Sequence, residues 1–316
     1  MRSRAALLVA ALALSACAAR SQQPGAASDA APAAACDAAA RFSFVPDTGE
    51  SAEAYLCFGY DAGAIGALTI AGVSWTPPAP GPFILHHAKL YAVPGDFPDG
   101  PVPCDGMPDG SIGLDVWAPG TGELVLPADT GLVLPAGTRR LVVEAHTLRV
   151  GSGDPQPAAV ALCAGPAAPA NLAGLMRTGA PVPAIRPHHE ETSSGTCRLG
   201  GDLHLWSVWP HMHLTGEEIT VDLLAAGTAT LDGGPTTLEA GTTTTLVDVV
   251  PWNFLAQKRY PLSVDAHAGD EIGVTCKWNN TSDNYVFPGP LTENEMCNAA
   301  FIAWPAASAT CAVELP

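Results

Sequence analysis

Glycine and proline constrain this chain more than any other feature, because they interrupt regular helices along its whole length. The 316 residues include 32 Gly and 30 Pro, together about a fifth of the chain. Both residues destabilise a helix interior, and both are common in the turns between short strands. The sequence therefore predicts an all-β protein and excludes coiled coils and helical bundles.

Four segments have the composition or the alternation of strands. Residues 218–224 and 270–276 alternate polar and apolar side chains, which is the period of a half-buried strand. Residues 141–146 and 242–250 are rich in Val, Leu and Thr. Short strands separated by Gly, Pro and Asp favour antiparallel β-sandwiches. The alternative is a mixed α+β domain built around a short helix near residues 171–178.

Charge and hydropathy narrow the class of protein further. The net charge is −17, from 14 Lys and Arg against 31 Asp and Glu, which argues against nucleic acid as a partner. Hydrophobic residues make up 47% and charged residues only 14%, so the chain has enough apolar material for a core.

The amino-terminal segment is typical of an exported bacterial protein. A short basic stretch precedes an apolar run at residues 5–14, too short to span a bilayer, and Cys17 follows. Residues 1–16 are predicted to be a lipoprotein signal peptide, with Cys17 lipidated. An ordinary signal peptide cleaved nearby is the alternative. Residues 17–35 form a flexible tether, and Ala18 after the cysteine favours the outer membrane, so the lipid anchor is the expected membrane contact.

The cysteines agree with export. Setting Cys17 aside leaves an even number, as expected for disulfides in an oxidising compartment. These eight lie at positions 36, 57, 104, 163, 197, 276, 297 and 311. The first four and the last four are separated by a Pro-rich, Cys-free stretch. We therefore predict two tandem domains, at residues 36–165 and 196–316, joined by a linker at 166–195; the spacing alone leaves the disulfide connectivity open.

Histidines in the second domain have the spacing of metal ligands. His211 and His213 lie two residues apart in a strand-like segment, so both rings can face one ion. Met296 is a candidate third ligand, and a thioether added to imidazoles favours copper over zinc. The alternative is a pair of surface or hydrogen-bonded histidines without a metal.

The first domain carries a second candidate group, formed by His86, His87 and His146. Adjacent residues of a strand point to opposite faces, so His86 and His87 can share a metal when a bulge or twist brings their rings together. The alternative is one core histidine and one exposed histidine.

Taken together, the two patterns resemble the copper type II ascorbate-dependent monooxygenases, the relatives of peptidylglycine α-hydroxylating monooxygenase and dopamine β-monooxygenase. The resemblance spans roughly residues 37–316. It depends most on His-Met-His-Leu-Thr-Gly at 211–216, on Ala-Gly-Asp-Glu-Ile at 268–272 and on Glu-Met-Cys-Asn at 295–298, and less on the amino-terminal histidines.

The resemblance implies two jelly-roll-like domains with a solvent-filled cleft between them. It implies an electron-transfer copper on His86, His87 and His146, and an oxygen-binding copper on His211, His213 and Met296. The implied activity is hydroxylation of an activated C–H bond with O₂ and ascorbate or another one-electron reductant. The implied disulfides are Cys36–Cys163, Cys57–Cys104, Cys197–Cys311 and Cys276–Cys297.

Two departures from the peptide-amidating members bear on the substrate. Trp209 stands where those members have an Arg that helps to hold the substrate carboxylate, and Ala300 stands where they have a Tyr. Asn298 is retained. Loss of the cation and the phenol removes charge-assisted recognition of a carboxylate. We therefore expect a small-molecule substrate other than a glycine-extended peptide, with Trp209 and Asn298 as candidate substrate-binding residues. Trp206 and Trp304 can offer further apolar surface, and core packing is the alternative for each of the three tryptophans.

Other histidines are assigned simpler roles, His188 and His189 to a solvated linker and His204 and His267 to structure. Two further functional classes stay open. One is a copper-binding envelope lipoprotein without catalysis, and the other is a metal-free adhesion or carbohydrate-binding sandwich.

Overall fold

The computed structural model describes residues 38–65, 69–104, 106–226 and 241–306. Its amino-terminal half contains one short 3₁₀ helix, Ala62–Ile65. The strands of this half are β1 Ala38–Phe44, β2 Glu53–Asp61, β3 Thr69–Thr76, β4 Phe83–Val93, β5 Val102–Pro103, β6 Ile112–Trp117, β7 Leu124–Val125, β8 Thr130–Val133, β9 Arg140–Arg149 and β10 Ala158–Ala164.

The carboxy-terminal half has eight strands in its described part. They are β11 Asn171–Gly179, β12 His189–Arg198, β13 Leu203–His211, β14 Gly216–Leu224, β15 Thr243–Val249, β16 Tyr260–Ala266, β17 Glu271–Asn280 and β18 Asn298–Trp304. The all-β prediction is confirmed, and all four segments proposed as strands are strands. Within the described ranges, no helix is long and apolar enough to cross a bilayer.

Alternation of polar and apolar residues explains where these strands bury their side chains. In β14 the buried positions are Ile219, Val221 and Leu223, with more exposed residues between them. Strands β4 and β9 are instead buried along most of their length, which is typical of central strands covered on both faces. These two central strands carry the amino-terminal histidines.

The strands form three sheets. The largest runs β1-β10-β3-β8-β11-β18-β13-β16, with β7 beside β3. The second runs β5-β2-β9-β4-β6 and the third β12-β17-β14-β15. Strands β8 and β11 pair in parallel, with Asn171 opposite Thr130, and this pairing joins the two halves of the chain in one sheet.

Two hydrophobic clusters lie on opposite faces of the large sheet. One joins residues of the five-stranded sheet, such as Leu90 and Val143, to Val160 and Ile302 of the large sheet. The other joins the four-stranded sheet to the opposite face, where Phe301 lies. Alternate residues of β18 therefore serve the two clusters, and the face with Ile302 turns toward the amino-terminal half.

The segment predicted as a linker, residues 166–195, contains regular strands. β11 lies within this segment and β12 begins in it, and both strands pair along most of their length. The Pro and Gly residues of this segment indicate the turns around these strands. The burial of β12 alternates along the strand, as expected for a sheet with one exposed face. The division into domains at 36–165 and 196–316, and their jelly-roll topology, stay predictions.

Two of the four implied disulfides are present, Cys57–Cys104 and Cys276–Cys297. The other two, Cys36–Cys163 and Cys197–Cys311, involve positions 36 and 311, which lie outside the described residues. Cys17, the signal peptide at 1–16 and the tether at 17–35 also lie outside them.

Candidate metal centre

Three histidines of the five-stranded sheet converge, and we call them the first histidine group. His87 of β4 lies directly opposite His146 of β9, and the register shifts between Leu85 and His87. This β-bulge leaves His86 without a cross-strand partner and turns its ring toward the other two. One ring nitrogen from each of His86, His87 and His146 lies within 4.8 Å of the others.

His211 and His213 form the second histidine group, at the end of β13. His211 is the last residue of this strand, and its partner on β18 is Asn298. His213 follows in the turn that leads to β14. The rings of His211 and His213 have centroids 5.0 Å apart, whereas Met212 points away and is fully buried in the core of the carboxy-terminal half.

The five imidazoles lie together. The ring centroid of His86 is 6.3 Å from that of His211 and 6.0 Å from that of His213, and His87 is 5.7 Å from His211. All five residues have 3% or less of their surface exposed. The predicted solvent-filled cleft between the two groups is therefore wrong, because the face of the large sheet that carries His211 packs against the amino-terminal half.

Hydrogen bonds fix the tautomers in the first histidine group. Nε2 of His146 contacts a Glu53 carboxylate oxygen, which only accepts, so this nitrogen carries the proton. The Tyr55 hydroxyl donates to the carbonyl of Pro290 at 2.5 Å and therefore accepts from His87 Nε2 at 3.3 Å. Each of these two rings is left with a lone pair on Nδ1.

Hydrogen bonds also fix the tautomers of the two rings in the second histidine group. Nδ1 of His213 donates to the carbonyl oxygen of Asn294 at 3.0 Å, because that oxygen only accepts. Nδ1 of His211 lies 2.7 Å from Gln257 Oε1. The Gln257 amide nitrogen donates to the Phe254 carbonyl at 2.9 Å, which identifies Oε1 as the acceptor. Both rings are left with a lone pair on Nε2.

Three of these lone pairs, on His87, His146 and His213, have no hydrogen-bond donor in the described part of the chain. Four imidazole nitrogens are buried without a hydrogen-bond partner, namely His86 Nε2, His87 Nδ1, His146 Nδ1 and His213 Nε2. Such atoms are costly to bury unless something binds them. A metal ion is a partner that takes several lone pairs at one point, and the partners on the opposite ring nitrogens resemble those that orient metal-bound histidines.

Burial also keeps these rings neutral. Desolvation lowers the pKa of His86 and His146 to about 3 and that of His213 to about 4. It lowers the pKa of His87 and His211 well below the usual range, and neighbouring imidazoles add to the effect. Neutral imidazole is the form that binds metals. The donor set thus fits a metal of the copper or zinc type.

Glu295 connects the second histidine group to the loop that carries Met296. Its carboxylate accepts hydrogen bonds from the backbone N–H of His213 at 3.0 Å and of Thr215 at 2.6 Å, and from the indole of Trp278 at 3.1 Å. The Thr215 hydroxyl and the Met296 N–H also donate to it. Burial raises the pKa of this carboxyl, and these donors act against that rise.

Met296 is half-buried and follows Glu295 directly in the chain. It lines a pocket of about 220 Å³ together with Asn298 and Arg177. The residue two before it, Asn294, contacts His213, so the Met296 loop borders the second histidine group. Whether the Met296 sulfur faces the imidazoles stays a prediction.

Trp209 packs rather than presenting an open surface. Its ring stacks on His211 with centroids 4.9 Å apart, and Ala300 and Val116 pack around it. Trp206 donates to the Val125 carbonyl, and Trp304 stacks on His204. These contacts agree with the core-packing alternative for the three tryptophans.

The remaining histidines lie apart from the two groups. His188 contacts Asp283 at 2.8 Å and is exposed, and His189 lies 3.6 Å from Glu191. His204 pairs with Asp265, and His267 lies 3.6 Å from Asp202.

Sequence reasoning missed the residues that orient the histidines: Glu53, Tyr55, Phe254, Gln257 and Asn294. Phe254 stacks on His86 with centroids 4.2 Å apart. A hydrogen-bond partner brought from a distant segment leaves no local pattern, so these residues had no signal. Glu295 did have one, because it adjoins Met296 in the motif at 295–298.

Comparison with known families agrees with this donor set. Residues 171–315 match the family model for the copper type II ascorbate-dependent monooxygenase, C-terminal domain. The matched segment includes His211, His213, Glu295 and Met296. The match is a likeness of this carboxy-terminal segment to the copper type II monooxygenases. No curated protein matches the chain.

Solved structures give distant likenesses. The major capsid protein P2 of bacteriophage PM2 is 9% identical, with a TM-score of 0.30, covering 84% of this chain and 96% of that chain. Two further structures, one of the infectious bursal disease virus Gx strain and one of the VP2 subviral particle of that virus, are each 10% identical to this chain in sequence. Their TM-scores are 0.23 and 0.20, with 85% and 87% of this chain and 73% of each of those chains covered. Likenesses of this size carry no functional argument.

Proposed function

We propose that the protein is an exported copper monooxygenase that hydroxylates an activated C–H bond of a small molecule, using O₂ and ascorbate or another one-electron reductant. The first histidine group would hold one copper ion. His211, His213 and Met296 would hold a second. The observation that carries the proposal is the set of four buried imidazole nitrogens without partners, within a chain whose carboxy-terminal half matches the family.

Bound copper would supply one-electron redox chemistry and a site for O₂, with the Met296 thioether favouring Cu(I). The chain supplies everything else. Glu53, Tyr55, Gln257 and Asn294 hold protons on the outward nitrogens, so that the inward nitrogens present lone pairs. Phe254 stacks on His86 and helps to exclude water from the rings.

The substrate side of the proposal depends on Trp209, Ala300 and Asn298. Trp209 fills the space beside His211, and Ala300 pairs with it across the strands, so neither offers charge-assisted recognition of a carboxylate. Asn298 lines the pocket next to Met296 and is the polar group we assign to substrate contact.

Location also belongs to the proposal. The basic and apolar start of the sequence and Cys17 support an outer-membrane lipoprotein of the bacterial cell envelope, with the lipid as the membrane contact. The disulfides Cys57–Cys104 and Cys276–Cys297 agree with an oxidising compartment.

The decisive experiment combines metal analysis with turnover. The mature chain without a His tag is loaded with copper, dialysed and analysed for copper content and electron paramagnetic resonance (EPR). O₂ consumption is then followed with ascorbate and a panel of benzylic and amide substrates. We expect two coppers and substrate-dependent O₂ uptake in the wild type. His213→Ala should lose one copper, and Met296→Ala should abolish turnover while sparing the ion of the first histidine group.

His188→Ala is the matched control, because His188 is exposed and its ring contacts Asp283. It should retain both coppers and full turnover. Two coppers without any O₂ uptake would favour the non-catalytic copper-binding lipoprotein. A wild type that binds no copper would contradict the proposal and favour the metal-free sandwich.

A further inference from the structure

One loop of the carboxy-terminal half contacts the residues that orient the first histidine group. We call residues 290–294 the bridging loop. Glu53 Oε1, which accepts from His146, also accepts from Thr292, through the backbone N–H at 2.8 Å and the hydroxyl at 2.7 Å. Glu53 and Thr292 are 239 positions apart in sequence. A single carboxylate oxygen thus orients His146 and anchors a loop of the other half.

Tyr55 makes a second connection of the same kind. It lies two residues after Glu53 on β2, so both side chains are on one face of the strand. Its ring stacks on His146 with centroids 4.0 Å apart, and its hydroxyl accepts from His87 and donates to the Pro290 carbonyl. Two ligands of the first histidine group are therefore oriented by residues that also anchor the bridging loop.

The other end of the loop orients the second histidine group. Asn294 accepts from His213 Nδ1 through its carbonyl oxygen. The loop is closed on itself, since the Asn294 N–H donates to the Leu291 carbonyl at 2.9 Å and the Leu291 N–H donates to Asn294 Oδ1 at 3.3 Å. A shift of Thr292 therefore reaches Asn294 through a short hydrogen-bonded turn rather than through a flexible chain.

We propose that Glu53 is a positioning residue for both histidine groups and that the bridging loop couples them, so that ordering one group favours metal binding at the other. The coupling depends on the Glu53–Thr292 hydrogen bonds. The identity of the metal in this inference rests on the proposed function, whereas the coupling itself rests on the hydrogen bonds described above. Coupling between two sites is reciprocal by thermodynamic necessity, which makes it measurable from either side.

The test uses proteins that retain one group each. In a His213→Ala background, Cu(I) binding to the first histidine group is measured by competition with a chelator. Thr292→Val removes the hydroxyl but keeps the side-chain shape, and it should lower this affinity at least about 5-fold, the lower end of typical coupling. In a His146→Ala background, Glu53→Leu, which removes the acceptor for both Thr292 hydrogen bonds, should lower the affinity of the second group by a similar factor.

Two controls separate coupling from general damage. Thr245→Val removes an equivalent hydroxyl-to-carboxylate hydrogen bond, from Thr245 to Asp222 at 2.7 Å on β14 and β15, and should leave both affinities unchanged. Thr292→Ser keeps a hydroxyl and should restore the affinity lost in Thr292→Val. The Cu(II) EPR spectrum of the first group should change in Thr292→Val and return in Thr292→Ser.

The outcomes are distinct. Unchanged affinity of the first group in Thr292→Val, or of the second group in Glu53→Leu, would overturn the coupling even in an active enzyme. Coupled copper binding without O₂ uptake would overturn the proposed activity and leave the coupling standing. A wild type that binds no copper would overturn both.

Discussion

The two histidine groups are built differently, although their rings lie within about 6 Å of one another. The first group stands on β4 and β9, inside a five-stranded sheet, and its members are cross-strand neighbours around one bulge. The second group stands where β13 ends. One of its rings is on the last residue of the strand and the other is in the following turn.

This difference decides what holds each ring in place. In the first group His146 is paired on both sides, with His87 of β4 and with Tyr55 of β2, so side-chain partners adjust an orientation that the sheet already gives. In the second group the backbone leaves the sheet, and Glu295, Gln257 and Asn294 from other segments replace the ladder. Loss of a supporting side chain should therefore cost more in the second group.

The largest effect is expected for Glu295→Ala. It leaves the His213 N–H and the Trp278 indole buried without acceptors, and each orphaned donor costs about 1–3 kcal/mol. We expect the free energy of unfolding to fall by about 4 kcal/mol, measured by urea denaturation. The second group should lose its copper under conditions in which the first group retains its own.

Glu293→Ala is the control for that change, because Glu293 is an exposed acid two residues away. Its stability should stay within about 0.5 kcal/mol of the wild type. If Glu295→Ala were as mild as Glu293→Ala, the view that loops rather than strands fix the second group would fail.

The next effect concerns the disulfide that closes the loop region before β18. Cys276–Cys297 joins β17 to the residue after Met296 and encloses a separation of 21 residues. The double variant Cys276→Ala, Cys297→Ala should lose about 3 kcal/mol, as a loop of this length implies. Copper affinity should fall more in the second group than in the first, measured in the single-group proteins.

Much of this architecture follows from the sequence. Alternation predicted β14 and β17, and Gly and Pro marked the turns, because these signals are local. The His-x-His spacing and the His-His pair predicted both groups, and the bulge at His86 is the device that adjacent strand histidines require.

The parts that sequence could not give depend on contacts between distant segments. The parallel pairing of β8 with β11 decides that the halves share one sheet, and no local pattern specifies it. The same packing brings His86 next to His211, where the sequence suggested open water. Glu53 and Gln257 were missed for that reason, since their partners are 93 and 46 positions away.

Gln257→Leu should have a smaller but selective effect. It keeps a buried side chain of similar size and removes the acceptor for His211 Nδ1. Loss of such an outer partner costs about 10- to 100-fold in metal affinity. We expect that loss in the second group, measured by chelator competition in the His146→Ala background. Gln156→Leu, at an exposed position, should leave the affinity unchanged, and equal effects of the two variants would contradict the assignment.

The smallest effect is expected for Tyr55→Phe, a variant that tests whether the strands alone hold the first histidine group in place. The variant removes the hydroxyl that joins His87 to Pro290 but keeps the ring stacked on His146. The cost in stability should be about 1 kcal/mol, as for one hydrogen bond. Because β4 and β9 still place both rings, copper affinity in the first group should fall by less than about 10-fold, below the loss for Gln257→Leu.

Tyr60→Phe is the matched control, since Tyr60 lies on the same strand and its hydroxyl donates to the Ser43 carbonyl at 2.9 Å, away from the histidines. A first group that lost its copper in Tyr55→Phe would show that its strands do not fix the ligands, and the contrast between a sheet-built group and a loop-built group would no longer hold.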